Sequence, residues 1–337
     1  MKLFVTGGAG FIGSNFIRHM LFKYSDISIV NYDLLTYAGN LENLTDIEKD
    51  VRYSFIKGDI SERKELESVL ADGKFDAIVN FAAESHVDRS IHFGAEAFIK
   101  TNVLGTQVLI DCARKSNVER FVHVSTDEVY GNVEGGGYFT EETPLQPNNP
   151  YSATKAASDM LVKAAVNTYK LDAVITRCSN NFGHYQFPEK LIPLMITNAI
   201  EDKPLPIYGD GMQIRDWIYV LDHCAGIDMA LRKGRAGQIY NFGGTKDIPN
   251  IEIVRHILRL LNKPESLITY VADRPGHDRR YAIDSSKAFK ELGWQPAYSF
   301  ELALKGTVEW YLGNREWWSR VKSGEYLNYY EKMYLKR

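Results

Sequence analysis

Cysteine is scarce in this chain: Cys112, Cys178 and Cys224 are all there is, widely spaced and without a CxxC pair. That argues against a disulfide framework or a thiolate metal centre, so no metal is expected, and it suits a reducing compartment. No apolar run approaches the roughly 18 residues that would suggest a membrane span. The opening Met1-Lys2-Leu3-Phe4-Val5 has no charged n-region, apolar h-region or small-residue cleavage site, so the expectation is a cytoplasmic protein. An excess of one charge is also missing. Forty Lys and Arg stand against 43 Asp and Glu, net −3, which gives no electrostatic case for nucleic acid or an anionic membrane as partner. Internal repeats and low-complexity tracts are absent.

What remains is the composition of an ordinary globular protein, 45% hydrophobic and 25% charged. At 337 residues the chain can bury a large core as one large or two ordinary domains.

Leu3 to Thr6 is a short apolar run that ends in Gly7-Gly8-Ala9-Gly10-Phe11-Ile12-Gly13, and an amphipathic stretch, Ser14 to Tyr24, follows. Strand, glycine turn and helix in that order make a dinucleotide fingerprint: the glycines let backbone approach a pyrophosphate, whose charge rests on free N–H groups at the helix start. The next apolar run, Ile27 to Tyr32, ends in Asp33, twenty residues after Gly13. An acid there accepts from an adenosine ribose and repels a 2′-phosphate, which favours NAD over NADP. Tyr53 to Lys57, Leu66 to Leu70, Ala77 to Phe81, Phe98 to Arg114 and Phe121 to Val124 continue a strand-and-helix alternation. The expected fold is α/β: a doubly wound parallel sheet of Rossmann type with helices on both faces and ligands at the strand ends. Asp59 follows one strand end and reads equally as an adenine contact or as a turn-capping aspartate. Ala82-Ala83 and the polar Glu84-Ser85-His86-Val87-Asp88 follow another, and Ser125-Thr126 closes a third.

Two stretches carry the chemistry. Ser125-Thr126-Asp127-Glu128-Val129-Tyr130-Gly131 puts adjacent carboxylates after an apolar run, and Tyr151-Ser152-Ala153-Thr154-Lys155 puts a phenol and an ammonium one helical turn apart. For a phenol with an ordinary pKa near 10, acting as a base near neutrality needs a shift worth ~4 kcal/mol. A unit charge at about 4 Å supplies roughly that. Neighbours on a strand point to opposite faces, so Asp127 and Glu128 share one substrate only if the strand ends near Thr126.

These motifs resemble the extended short-chain dehydrogenase/reductase superfamily, and within it the nucleotide-sugar 4,6-dehydratases. The resemblance spans almost the whole chain. It includes Thr6 to Ser14, Ala82 to Asp88, Ser125 to Gly131, Tyr151 to Lys155, Ser179-Asn180-Asn181, Phe187 to Pro193 and Asp273-Arg274-Pro275-Gly276-His277-Asp278. The Thr-Asp-Glu triplet discriminates, because related 4-epimerases generally carry small residues at the two acidic positions.

The resemblance implies a reaction on dTDP-glucose or a related nucleotide sugar, for deoxysugar biosynthesis such as that of rhamnose. C4 is oxidised, water is lost across C5 and C6, and the tightly bound NAD is regenerated at C6. Tyr151 would take the 4-hydroxyl proton, Thr126 would bond the same oxygen, and Lys155 would hold the ribose. Glu128 would remove the C5 proton and Asp127 would protonate the leaving C6 oxygen, an assignment that assumes which acid of a coupled pair holds the proton.

It also implies NAD contacts from Gly7, Gly10, Phe11, Ile12, Gly13, Asp33, Leu34, Thr36, Asp59, Ile60, Phe81, Ala82, Ala83, Ser85, Thr101, Tyr151, Lys155 and Asn181. The sugar nucleotide would meet Ser85, Thr126, Asn180, Lys190, Leu191, Pro206, Tyr208, Arg215, Asn250, Arg274 and His277, with Arg215 and Arg274 on the diphosphate. Arg279 and Arg280 read as surface ion pairs. A homodimer through Phe98 to Arg114 and Ser152 to Tyr169 is implied too.

The chain departs from the family in His184, where proline is usual and the loop is expected to loosen, and in Thr245 to Asn250. Residues 1–180 are expected to form the NAD-binding domain, with some later segments returning to it, and 181–337 mainly the substrate-binding lobe. The aromatic stretch from Trp310 to Tyr334 reads as helices packed on the body. Alternatives are a nucleotide-sugar 4-epimerase or decarboxylase, a dehydratase acting on UDP-glucose, or a catalytically silent NAD-binding regulator.

Overall fold

The computed structural model describes residues 1–132, 137–244, 246–273 and 277–322. Six strands open the chain: β1 Lys2–Thr6, β2 Ser28–Asp33, β3 Tyr53–Lys57, β4 Ala77–Asn80, β5 Arg120–Thr126 and β6 Ala173–Cys178. Further along come β7 Asn180–Phe182, β8 Leu205–Tyr208, β9 Ile214–Tyr219, β10 Ile239–Phe242, β11 Asp247–Pro249, β12 Ile268–Val271 and β13 Arg280–Tyr281.

The first six strands and β10 form one seven-stranded sheet in the order β10-β6-β5-β4-β1-β2-β3, every pairing parallel. Leu3 and Val5 of β1 face one apolar core with Phe16 and Ile17 of the helix Phe11–Lys23. Phe4, between them, faces the other core with Leu66, Leu109 and Val162. Side chains of a strand alternate, so burying both faces requires a near-continuous apolar run, and that is what these strands supply. The winding direction reverses between β1 and β4, and the carboxyl ends of these two strands and β5 open the crevice where such folds bind ligands.

The later chain adds a small sheet of β11, β9 and β13 with β7 on β9, and a pair of β8 with β12. The stretch expected as one helix from Phe98 to Arg114 is more varied: a π turn at Ile99–Gly105 runs into an α-helix, Thr106–Lys115. Asn102, inside that turn, exchanges hydrogen bonds with the Glu84 backbone and donates to Thr154 Oγ1 at 2.9 Å. The C-terminal aromatics pack as expected up to Lys322: Trp310 and Trp317 meet at 5.1 Å on helices Phe300–Gly313 and Arg315–Val321. The remainder of that stretch, to Tyr334, lies outside the described residues, as does Thr245. His184 is held, not loose: its ring stacks on Trp310 at 5.5 Å and its carbonyl accepts from Asn15 at 3.0 Å. Among the described residues no helix is long and apolar enough to cross a membrane.

Candidate active site

The turn after β1 requires glycine at two positions that approach backbone closely. A Cβ on Gly13 would lie 2.4 Å from the Gly7 carbonyl oxygen, and one on Gly7, at φ +71°, would lie 2.5 Å from the Ala82 nitrogen. The backbone there is therefore bare toward the cleft. Asp33, at the end of β2, is buried, and its two oxygens accept from Ala9 N at 2.9 Å and Leu35 N at 2.8 Å. Burial pushes its carboxyl up despite those two donors. Asp59 serves its turn, accepting from Ser61 N and from Lys100 at 3.0 Å, while also lining the cleft.

β5 ends at Thr126, and residues Asp127–Tyr130 form a 3₁₀ turn. The strand stops where the acids begin, as their sharing one substrate requires. Both line the cleft beside Tyr151. Asp127 Oδ2 and Glu128 Oε2 are each buried with no hydrogen-bond partner among the described residues. Such orphaned acceptors are rare and mark places where a ligand supplies the partner. Burial is the first cause that holds the Asp127 carboxyl well above its usual range, with the charges of Glu128 and Asp216 adding and Arg215 opposing. Burial thus favours the protonated form of Asp127.

Tyr151 and Lys155 sit on the helix Pro150–Tyr169, whose start is set by Asn149 in a capping box with Ser152 and by proline in the first turn. Both side chains are buried. Lys155 Nζ donates to the Val124 carbonyl at 2.9 Å, and burial lowers its pKa to about 8. Tyr151 is held well above 10, first by burial, then by the Glu128 and Cys178 charges, with the Thr126 hydroxyl opposing. Burial therefore favours the neutral phenol, and a positive charge placed beside it would favour the ionised form that a base needs. Four residues after Lys155, Asp159 pairs with Arg177 of β6 at 2.9 Å and ties the helix to the sheet.

The cleft brings together nearly all the residues singled out in the sequence. On the sheet side stand the glycine turn, Asp33, Leu34, Thr36, Asp59, Ile60, Phe81 to Ser85 and Thr101. Facing them are Asn180, Asn181, Lys190, Leu191, Pro206, Tyr208, Arg215, Asn250 and His277. Asn180 Oδ1 and Asn250 Oδ1 are further buried acceptors without a partner among the described residues. Arg274 lies outside the described residues. Arg279 makes an exposed two-pronged pair with Asp210 at 2.9 and 3.0 Å, the surface ion pair expected of it, whereas Arg280, expected likewise, pairs with Asp247 at 2.6 Å in a partly buried setting.

Sequence reasoning missed Asp216, pushed up to about 7 by burial with the Gly244 N–H opposing, and Tyr37 and Glu189, which meet at 3.2 Å. Glu189 lies within one of the motifs that carry the resemblance, and Asp216 directly follows Arg215, but an acid beside a motif residue shows no burial until the fold is known. Bare backbone at the turn, an acid at the β2 end and unpartnered acceptors beyond Tyr151 fit a dinucleotide beside a hydroxyl-rich ligand.

A family model described as GDP-mannose 4,6 dehydratase matches residues 4–307. The chain is 52% identical over 340 residues, 96% of each chain, to dTDP-glucose 4,6-dehydratase of Xanthomonas campestris pv. campestris (strain B100). A crystal structure of dTDP-glucose 4,6-dehydratase from Bacillus anthracis str. Ames in complex with NAD matches with a TM-score of 0.90 at 51% identity, covering 96% of this chain and 100% of that one. A double mutant of dTDP-glucose 4,6-dehydratase from Streptomyces venezuelae, with NAD and DAU bound, matches at 0.93 and 50% identity, with the same coverage of each chain. By sequence and fold alike, this chain belongs to the dTDP-glucose 4,6-dehydratase family of the extended short-chain dehydrogenase/reductases.

Proposed function

We propose that the protein is an NAD-dependent dTDP-glucose 4,6-dehydratase, a hydro-lyase making dTDP-4-dehydro-6-deoxy-glucose for deoxysugar biosynthesis. The observation that carries this is the pair Asp127 and Glu128, both lining the cleft beside Tyr151 and each with an unpartnered carboxyl oxygen. A silent NAD-binding regulator has no use for that arrangement.

The glycine turn, Asp33 and Lys155 would hold the cofactor. When bound, NAD⁺ supplies the electron acceptor for C4, the donor for C6 and a positive charge beside Tyr151. Tyr151, with its phenol so biased, takes the proton of the 4-hydroxyl, and Thr126 hydrogen-bonds the same oxygen. The ketone at C4 acidifies the C5 proton, which Glu128 removes. The C6 oxygen leaves as water with a proton from Asp127, whose protonated form burial favours. Glu128 returns a proton to C5, and the turnover closes when the proton that Tyr151 took from the 4-hydroxyl passes on, directly or through solvent, to replace the one Asp127 gave to the water. Arg215 and Lys190 suit the diphosphate and sugar, as charged donors in a cleft.

Residues 1–180, with β10 and the helix Val220–Lys233, make the NAD-binding part; most of the rest makes the sugar-nucleotide lobe. We assign it to the cytoplasm, and to a homodimer whose pairing is supported by exposed Ile99, Leu104, Met160 and Tyr169 on the two segments expected to pair. Incubation with dTDP-glucose and with UDP-glucose, without added NAD, tests the function. The expected result is a product lighter by one water, formed from dTDP-glucose. Thymine and uracil differ by one methyl, worth ~1–3 kcal/mol, so a slower reaction with UDP-glucose is compatible.

A further inference from the structure

Glu189 has no part in the chemistry above, yet three cleft-lining segments converge on it. It is 7% exposed and immediately precedes Lys190 and the helix Leu191–Ile200. The Tyr37 hydroxyl donates to its Oε1 at 3.2 Å. Tyr37 lies in the turn that follows Asp33, with Phe187 edge-on to its ring at 5.7 Å and the Arg89 guanidinium over it at 4.0 Å. His86, beyond the end of β4, brings its Nε2 to 3.5 Å from Glu189 Oε2. His86 Nδ1 accepts the Arg89 backbone N–H at 3.4 Å, which assigns the ring proton of the neutral form to Nε2, facing Glu189. One residue on, Lys190 Nζ donates to the Ser85 carbonyl at 3.0 Å.

Glu189 therefore ties the turn after β2 and the segment after β4 to the head of the helix Leu191–Ile200. Thr36, Ser85 and His86 line the cleft from the sheet side and Lys190 and Leu191 line it from across. A ligand enclosed between these segments leaves only when they part. Parting them would strip a buried carboxylate of its Tyr37 donor and of the His86 ring beside it, which is unfavourable unless water reaches it.

We propose that Glu189 is a positioning residue whose carboxylate latches the β2 and β4 loops to the opposite wall and so sets how long NAD stays bound. The inference rests on the cofactor reading given above. Burial pushes Glu189 up to about 7, with Lys190, Arg89 and the Tyr37 hydroxyl opposing and Asp88 adding to it. His86 faces it from the β4 side, and Glu84 faces Tyr37. A proton on Glu189 removes one acceptor, so the latch loosens as pH falls below about 7.

The test uses the enzyme as purified, without sugar. Release of bound NAD is timed with a coupled enzyme that consumes free NAD, at pH 6 and pH 8, for wild type, Glu189→Gln, Tyr37→Phe and the double variant, with melting temperatures alongside. Loss of one hydrogen bond to a charged group should speed release roughly 10-fold in either single variant at pH 8. The double variant should be no faster than the faster single one. Wild type should release faster at pH 6 than at pH 8, and Glu189→Gln should lose that difference. Tyr37→Phe keeps both ring contacts and guards against a fold lost in the Gln variant. Unchanged release in both single variants, or a pH step that persists in Glu189→Gln, overturns the latch alone. Wild type that binds no NAD overturns the cofactor reading and the latch with it.

Discussion

The Thr126 hydroxyl accepts the Glu128 backbone N–H at 3.3 Å, and this bond caps the turn that swings two adjacent acids into one cleft. On a continued strand Asp127 and Glu128 would face opposite sides of the sheet. The end of β5 is therefore the structural condition for elimination, and the predictions that follow depend on it.

Glu128→Gln keeps the shape of the turn but cannot take a proton. It should leave C4 oxidation detectable as reduced cofactor in a single turnover, while exchange of the C5 proton with solvent falls by about 10²–10⁴-fold. Proton NMR in deuterated water reads the exchange, and wild-type exchange in the variant would remove Glu128 from the role.

Asp127→Asn should also stop the reaction after C4 oxidation, and it carries a stability signature. Burial raises the folded-state pKa of Asp127 well above its unfolded value near 3.8. Between those values the native state binds a proton that the unfolded chain does not, so this group costs stability as pH rises through that window. Asparagine has no such titration. The variant should gain on wild type at pH 8, and gain less at pH 4, as read by chemical denaturation at the two pH values.

Much of this was legible in the residues. The strand–glycine–helix opening, the acid after β2 and the Tyr-x-x-x-Lys spacing each follow from a local pattern with one backbone meaning. The π turn at Ile99–Gly105 was not legible, because it is held by Asn102 reaching Glu84 and Thr154, contacts that no periodicity encodes. Nor was the Tyr37–Glu189 bond, which joins residues 152 positions apart. The short strands β7, β11 and β13 span only two or three residues each and pair around β9, too little chain to show an alternation. Burial shifts Asp127 up and Lys155 down, and burial is a property of the fold, not of the motif.

Gly13→Ala tests the cofactor turn. The added methyl meets the Gly7 carbonyl oxygen at 2.4 Å, and backbone must shift to admit it. A loss of roughly 1–3 kcal/mol in folding stability is expected, along with loss of bound NAD in the purified protein. Absorbance of the denatured supernatant reads the NAD. Wild-type NAD content in this variant would contradict the placement of the cofactor on that turn.

Leu104→Asp tests the pairing surface. Leu104 is 49% exposed on the π turn, so a charge there should leave the fold intact and convert a dimer to monomer. Light scattering during gel filtration measures the mass. A wild-type protein that elutes as a monomer would contradict the homodimer outright.

The central claim is that one enzyme-bound cofactor oxidises C4, permits loss of water and is restored at C6. The most direct test is turnover of dTDP-glucose in deuterium oxide without added NAD, followed by mass spectrometry and NMR of the product. The account predicts a 4-keto-6-deoxy sugar, formed over many turnovers, with deuterium at C5. A product that retains its C6 oxygen, or no product until NAD is supplied in stoichiometric amounts, would contradict it.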